Sequence, residues 1–194
     1  GNRDLFMENL SITAEARERV REGDVYVSEF CARNDSTLED EDKETSDWIE
    51  IHNGKDSAVD LEGYFLTDNT EDLTKWEFPA VTLGSNEYLV IFASGKNRRN
   101  PNSELHSNFS RAGENGQLAL IAADGKTILS EFNYEEQVED VSYGELGTER
   151  TFGYFDNPTP GRVNRAPQFP NPPGEQLQFD KPGGLFSGST TLRI

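Results

Sequence analysis

Positive charge is what this chain most lacks: Lys and Arg number 18 against 36 Asp and Glu, a formal net charge of −18. Nucleic-acid affinity comes mainly from cations that neutralise phosphates, so no nucleic-acid partner is expected, and binding to anionic membranes is disfavoured on the same ground. The single cysteine, Cys31, excludes an intramolecular disulfide. Only two histidines, His52 and His106, are available as general bases. Without a run of about 20 apolar residues, no membrane insertion is expected. No export signal is visible, but the chain starts at Gly1 without Met and is expected to be a piece of a longer protein, so that absence says little about its destination.

What the chain does have is aromatic and rich in turns. Twelve Phe and six Tyr supply rings suited to strands, and 194 residues suffice for one good core and part of a second domain. Period-two alternation predicts strands near residues 25–32, 47–53, 62–67, 73–78, 87–93, 117–122 and 127–132. Turn chemistry separates them at Asn53-Gly54, Leu83-Gly84-Ser85, Glu114-Asn115-Gly116 and Asp124-Gly125. This pattern predicts an all-β fold, a sandwich rather than a parallel α/β sheet. In the first strand, alternation places Val25, Val27, Glu29 and Cys31 on one face and Tyr26, Ser28 and Phe30 on the other. Cys31 is therefore expected to pack within the strand rather than act as a nucleophile. Ahead of that strand, residues 13–22 carry good helix formers between the N-cap Thr13 and the stop Gly23, so residues 1–24 read as a short helical linker.

Composition shifts after Phe155, and seven of the nine prolines lie between Pro158 and Pro182. The sandwich is expected to span residues 25–164, followed by an extended Pro-rich linker over 165–176. Residues 177–194 read as the truncated start of a second β-domain. Leu177, Phe179, Leu185, Phe186, Leu192 and Ile194 fall there at strand spacing, yet the segment can form only a hairpin, which is marginal alone in water. Docking on the sandwich or on a second copy is therefore expected, with a weak homodimer through this segment.

Several motifs recur in a fixed order: Ser28-Glu29-Phe30; Asp47-Trp48-Ile49-Glu50-Ile51-His52-Asn53; Leu61-Glu62-Gly63-Tyr64-Phe65-Leu66-Thr67-Asp68; Trp76-Glu77-Phe78-Pro79. They continue through Tyr88–Gly95 and Leu105–Phe109 to the closing Pro158-Thr159-Pro160-Gly161-Arg162-Val163-Asn164. Together they resemble the lamin-tail domain, in the form found in bacterial surface proteins. The resemblance implies an immunoglobulin-like β-sandwich and no reaction of its own. It also implies a noncatalytic module of a larger secreted or cell-surface protein, whose partners are proteins or polysaccharides at the cell surface, or which acts as a spacer. The alternative is an accessory targeting domain of a secreted hydrolase or CotH-type kinase whose catalytic domain lies elsewhere. Glu50 resembles the acid of the family's Ile-Glu-Ile/Leu core motif, which implies a structural role, tying down a loop or accepting from backbone amides. The piece after Leu177 is similar to the start of the β-domain at the C-terminus of chitobiase and β-hexosaminidase enzymes.

The strongest candidate for site chemistry is the loop from Asp35 to Glu50, where eight carboxylates meet only Lys43. Calcium takes six to eight hard oxygens from a flexible loop, and Asp40, Asp42 and Asp47 with loop carbonyls are candidate ligands. The EF-hand spacing fails, because counting from Asp40 leaves Ile51 where a bidentate Glu belongs. A solvated charged loop is the alternative, and no other cofactor is expected. Neither histidine accompanies a nucleophile elbow, phosphate loop or zinc signature, so both are expected at the surface or in turns. Trp48, Trp76, Tyr64 and Tyr88 are candidates for stacking on sugar rings, set against the usual core role of strand aromatics.

Overall fold

The computed structural model describes residues 20–21, 23–110, 116–146 and 151–165. Its strands, in chain order, are β1 (Val20–Arg21), β2 (Val25–Cys31), β3 (Trp48–Asn53), β4 (Val59–Asp60), β5 (Phe65–Thr67), β6 (Trp76–Glu77) and β7 (Thr82–Leu83). They continue with β8 (Tyr88–Phe92), β9 (Leu105–His106), β10 (Gly116–Ile121), β11 (Ile128–Tyr134), β12 (Ser142–Leu146) and β13 (Thr151–Phe155). Two sheets face each other, one ordered β13-β12-β2-β3-β8-β9 and the other β1-β11-β10-β5-β6, with a small β4-β7 ribbon beside them. The core between them takes Val25, Val27, Phe30, Ile49, Ile51, Ile91, Tyr143 and Tyr154 from the first sheet. Leu66, Trp76, Leu118, Leu120, Phe132 and Tyr134 come from the second. Full burial of each large apolar side chain contributes about 1.5–3 kcal/mol. The result is the expected immunoglobulin-like all-β sandwich. Among the described residues there is no helix, and so none long and apolar enough to cross a membrane.

Val20 and Arg21, expected at the end of a helix over 13–22, instead pair with Glu131 and Ser130 of β11. The rest of that expected helix lies outside the described residues, as do residues 166–176 of the Pro-rich linker and the hairpin over 177–194.

A bulge sets the geometry of the first sheet. Val27 pairs with Ile51 and Glu29 with Glu50, so Ser28 is an extra residue. One inserted residue reverses the phase of every side chain after it. Val25 and Val27 enter the core before the bulge, and Phe30 and Ala32 enter it afterwards. The uninterrupted alternation expected from the sequence is therefore wrong beyond Val27. Cys31 does pack fully, but on the sheet's other face against Trp48 and Phe92.

Strands β12 and β13 are absent from the sequence expectation. Each carries a glycine at its centre, Gly144 and Gly153, and the two pair directly with each other. Glycine depresses strand propensity, and at Gly144 the reason for it is packing. A Cβ there would lie closest to Ser28 O in the neighbouring strand and 2.9 Å from both Glu29 Cα and Asn164 Nδ2, distances that a real methyl group does not tolerate. The glycine makes room for what covers the sheet.

Candidate functional site

Glu50 alternates with the core residues Ile49 and Ile51, so its side chain stands on the outer face of the sheet, and the Ser28 bulge sets Glu29 opposite it. Both carboxylates are 0% exposed. A buried charge needs partners, and the closing segment supplies most of them. Glu29 accepts from the Thr159 amide at 3.0 Å, lies 2.8 Å from the Thr159 hydroxyl and is bonded by Ser142 Oγ. Glu50 accepts from the Gly161 amide at 2.6 Å, while its Oε1 lies 2.5 Å from Ser28 Oγ. Gly161 has φ +80°, a conformation open to glycine at little cost, which aims its N–H at the carboxylate. Asn164 completes the clasp by donating to Ser28 O at 3.0 Å and Glu145 O at 2.8 Å, and its Oδ1 lies 2.9 Å from the Thr159 hydroxyl.

Burial pushes the Glu50 carboxyl up to about 8, with the neighbouring Glu29 charge adding to it against the hydrogen bonds from Ser28, Gly161 and Arg162. At neutral pH Glu50 is therefore protonated. Ser28 Oγ donates to the Glu50 carboxyl and also lies 3.3 Å from Glu50 O. Burial also raises Glu29, against the lowering effect of Ser142, Thr159 and Arg162. The pair fastens the chain's closing segment to the sheet and has no exposed surface at which to meet a substrate.

The acidic loop is a folded structure rather than a solvated tether. Asn34 organises its start, accepting from the Thr37 amide at 2.9 Å and donating to Leu38 O and Ser46 O at 2.7 and 2.8 Å. Asp140 receives the amides of Asp35 and Ser36, both at 2.8 Å. Leu38 reaches over the Cys31, Trp48 and Phe92 cluster, so the loop roofs the second apolar patch.

Of the three residues expected to hold calcium, the structure brings Asp40 and Asp42 together, with Glu44 as the third carboxylate. Asp47 is committed elsewhere, accepting from the Asn34 amide at 3.0 Å. At the centre of the trio sits the ammonium of Lys96, 2.5 Å from Asp40, 2.8 Å from Asp42 and 2.9 Å from Glu44. Asp40 is 1% exposed, and its other oxygen accepts the Asp42 and Glu44 amides. Arg98 adds ion pairs to Glu41 at 2.9 Å and Asp42 at 2.5 Å. Arg98 first, then Lys96, holds the Asp42 carboxyl down at about 2. Burial works against the Lys96 charge, but its three carboxylate partners raise it overall. The Lys96 ammonium thus stands among the three carboxylates, where a cation would be held.

The histidines are not the surface or turn residues expected. His106 lies in β9, is 0% exposed, pairs through Nδ1 with Ser94 Oγ at 2.8 Å and stacks on Phe92. Burial lowers its pKa, helped by Lys96 and Arg98. His52 stacks on Tyr88 at 4.2 Å and shares a 2.9 Å hydrogen bond with the Tyr26 hydroxyl. Trp48 and Trp76 are buried at 0% and 1%, so neither offers a ring to a sugar, and Tyr64 is partly buried against the core. Tyr88 is half-buried, with one face already taken by His52. Burial pushes the Cys31 thiol up to about 12, which leaves it inert.

The clasp borders an open cavity of 590 Å3 lined by Thr37, Phe155, Asp156, Asn157, Arg162 and Arg165 among others. Sequence reasoning missed it. Its cations, Arg162 and Arg165, lie in and just after the closing Pro158–Asn164 motif, which carries no binding signature, and they meet Thr37 only through the tertiary fold.

No curated protein matches the chain. The lamin tail domain family matches residues 20–143, starting at the β1 strand and ending within β12. That span covers more than half of the sequence and contains the Trp48–Asn53 strand with Glu50 at its centre, so the chain belongs to the lamin tail domain family.

Proposed function

We propose that this lamin tail domain is a noncatalytic interaction and spacer module of a larger secreted or cell-surface protein. One observation carries the reading: the side chains with catalytic potential are committed to structure. Glu29 and Glu50 clasp the closing segment, and His106 is fully buried against Phe92. A general acid or base must reach the proton that it transfers, and none of these three reaches solvent. Lys96 supplies the cation for the acidic loop, so the reading needs no calcium. The direct test is a panel of chromogenic esters, glycosides and phosphate esters, on which no turnover above buffer is expected. Turnover that survives Glu29→Gln and Glu50→Gln would point to a reactive group elsewhere and end the noncatalytic reading.

The second reading, a targeting domain beside a catalytic neighbour, draws on the open cavity, since a pure spacer needs no ligand contact. Its test is the natural protein with and without this domain, assayed on immobilised and on soluble substrate. Targeting predicts a loss on the immobilised substrate only.

A further inference from the structure

Arg162 and Arg165 stand out electrostatically. Arg33, Arg98 and Arg99 each hold a carboxylate. Neither Arg162 nor Arg165 holds an ion pair among the described residues, although carboxylates outnumber cations two to one in the chain and Asp156 lines the same cavity. The Asp156 carboxylate instead accepts from Asn157 Nδ2 at 2.8 Å. Both arginines are exposed, yet they rise from backbone that the clasp pins at Thr159, Gly161 and Asn164. A cationic pair on a rigid base is preorganised, so a ligand loses less ordering entropy when it binds there.

From this cavity we propose a binding site for a sugar residue that bears one carboxylate, a uronic acid unit of an acidic glycan. The inference rests on the reading of the chain as a noncatalytic binding module. A volume of 590 Å3 suits one or two sugar rings. Guanidinium groups recognise carboxylates through paired N–H donors. Asp156 beside them is an acceptor that a purely anionic ligand would avoid and that sugar hydroxyls can satisfy, with Asn157 and Thr37 as further polar partners. The net charge of −18 repels densely charged polyanions, which selects for an isolated carboxylate.

Titration calorimetry of the protein with methyl glucuronide, methyl glucoside and inorganic phosphate tests the proposal. Saturable binding of methyl glucuronide is expected, at least tenfold tighter than either of the others. Arg162→Ala with Arg165→Ala should weaken it at least tenfold with a thermal midpoint little changed, because both side chains are exposed and the clasp's hydrogen bonds come from Thr159, Asn164 and the backbone rather than from either guanidinium. Asp156→Ala should weaken the glucuronide while leaving or improving phosphate. Equal binding of glucuronide and glucoside, phosphate as tight as glucuronide, or indifference to the arginine substitutions would each overturn the site. An acidic peptide that displaces the glucuronide at lower concentration would do the same. None of these outcomes touches the noncatalytic reading, which falls only if the methyl glycosides are consumed.

Discussion

Replacing Glu50 by Gln separates a neutral buried acid from a buried charge. Glu50 rises from 4.5 to about 8 on folding. Between those values the folded protein holds a proton that the unfolded chain releases, so stability falls as pH rises, by about 1.4 kcal/mol per pH unit. The stabilisation is complete below 4.5 and is lost as pH climbs through 8. Between pH 5 and pH 7 the wild type should lose about 3 kcal/mol from this group, which corresponds to about 9 °C in the midpoint of a domain of this size. Glu29, also raised, acts in the same direction. His106 acts in the opposite one: its lowered value makes a contribution that is present above 6.5 and lost as pH falls. Comparing the variant with the wild type at each pH cancels the His106 contribution, whereas Glu29, which faces Glu50, shifts with it. A Gln amide is neutral like the protonated acid and still offers its oxygen to the Gly161 amide. Urea melts from pH 5 to pH 8.5 should show the two proteins close at the acid end and the variant increasingly ahead above pH 6. Parallel curves, or a variant that loses most at high pH, would mean that Glu50 carries its charge in the folded state.

Other perturbations follow from the same geometry. Lys96→Ala leaves buried Asp40 without its counter-ion and should cost about 3 kcal/mol in chemical denaturation; millimolar calcium should then raise the midpoint of the variant and leave that of the wild type unmoved. Gly144→Ala forces a methyl group against Glu29 and Asn164 and should cost about 1–3 kcal/mol, visible as earlier proteolysis near residues 158–164. Cys31 should resist thiol reagents at pH 8 in the native protein and react at once in denaturant, so native labelling at the unfolded rate would contradict its packing.

The strand pattern of β2, β3, β8, β10 and β11 was legible in the sequence because each alternates apolar residues or sits beside a turn signal. So was the family, since Glu50 between two isoleucines and the Pro158–Asn164 run survive as linear motifs. The Ser28 bulge was not legible. Nothing in Val-Ser-Glu-Phe distinguishes an inserted residue from the next step of a regular strand, and the insertion becomes visible only through the partners of Glu29. β12 and β13 were hidden by their central glycines, of which Gly144 makes room for Asn164 of the clasp. The calcium expectation rested on spacing along the loop, whereas the cation that arrives, Lys96, is 56 residues from Asp40 in the chain. Arg162 and Arg165 were invisible as a site for the same reason: a cavity is a property of the fold, not of neighbours in sequence.

The clasp also orders events in time. Glu29 is made early, but the Thr159 amide that it holds lies 130 residues later. A chain emerging from the ribosome at about 5–20 residues per second spends many seconds with the two carboxylates paired side by side and uncovered. During that interval the nascent sandwich has every reason to leave β2 and β3 loosely joined, since water solvates the acids better than the unfinished sheet does. The two acids gain their partners only from the last turn, because Thr159, Gly161 and Asn164 all lie at the far end of the sandwich's sequence.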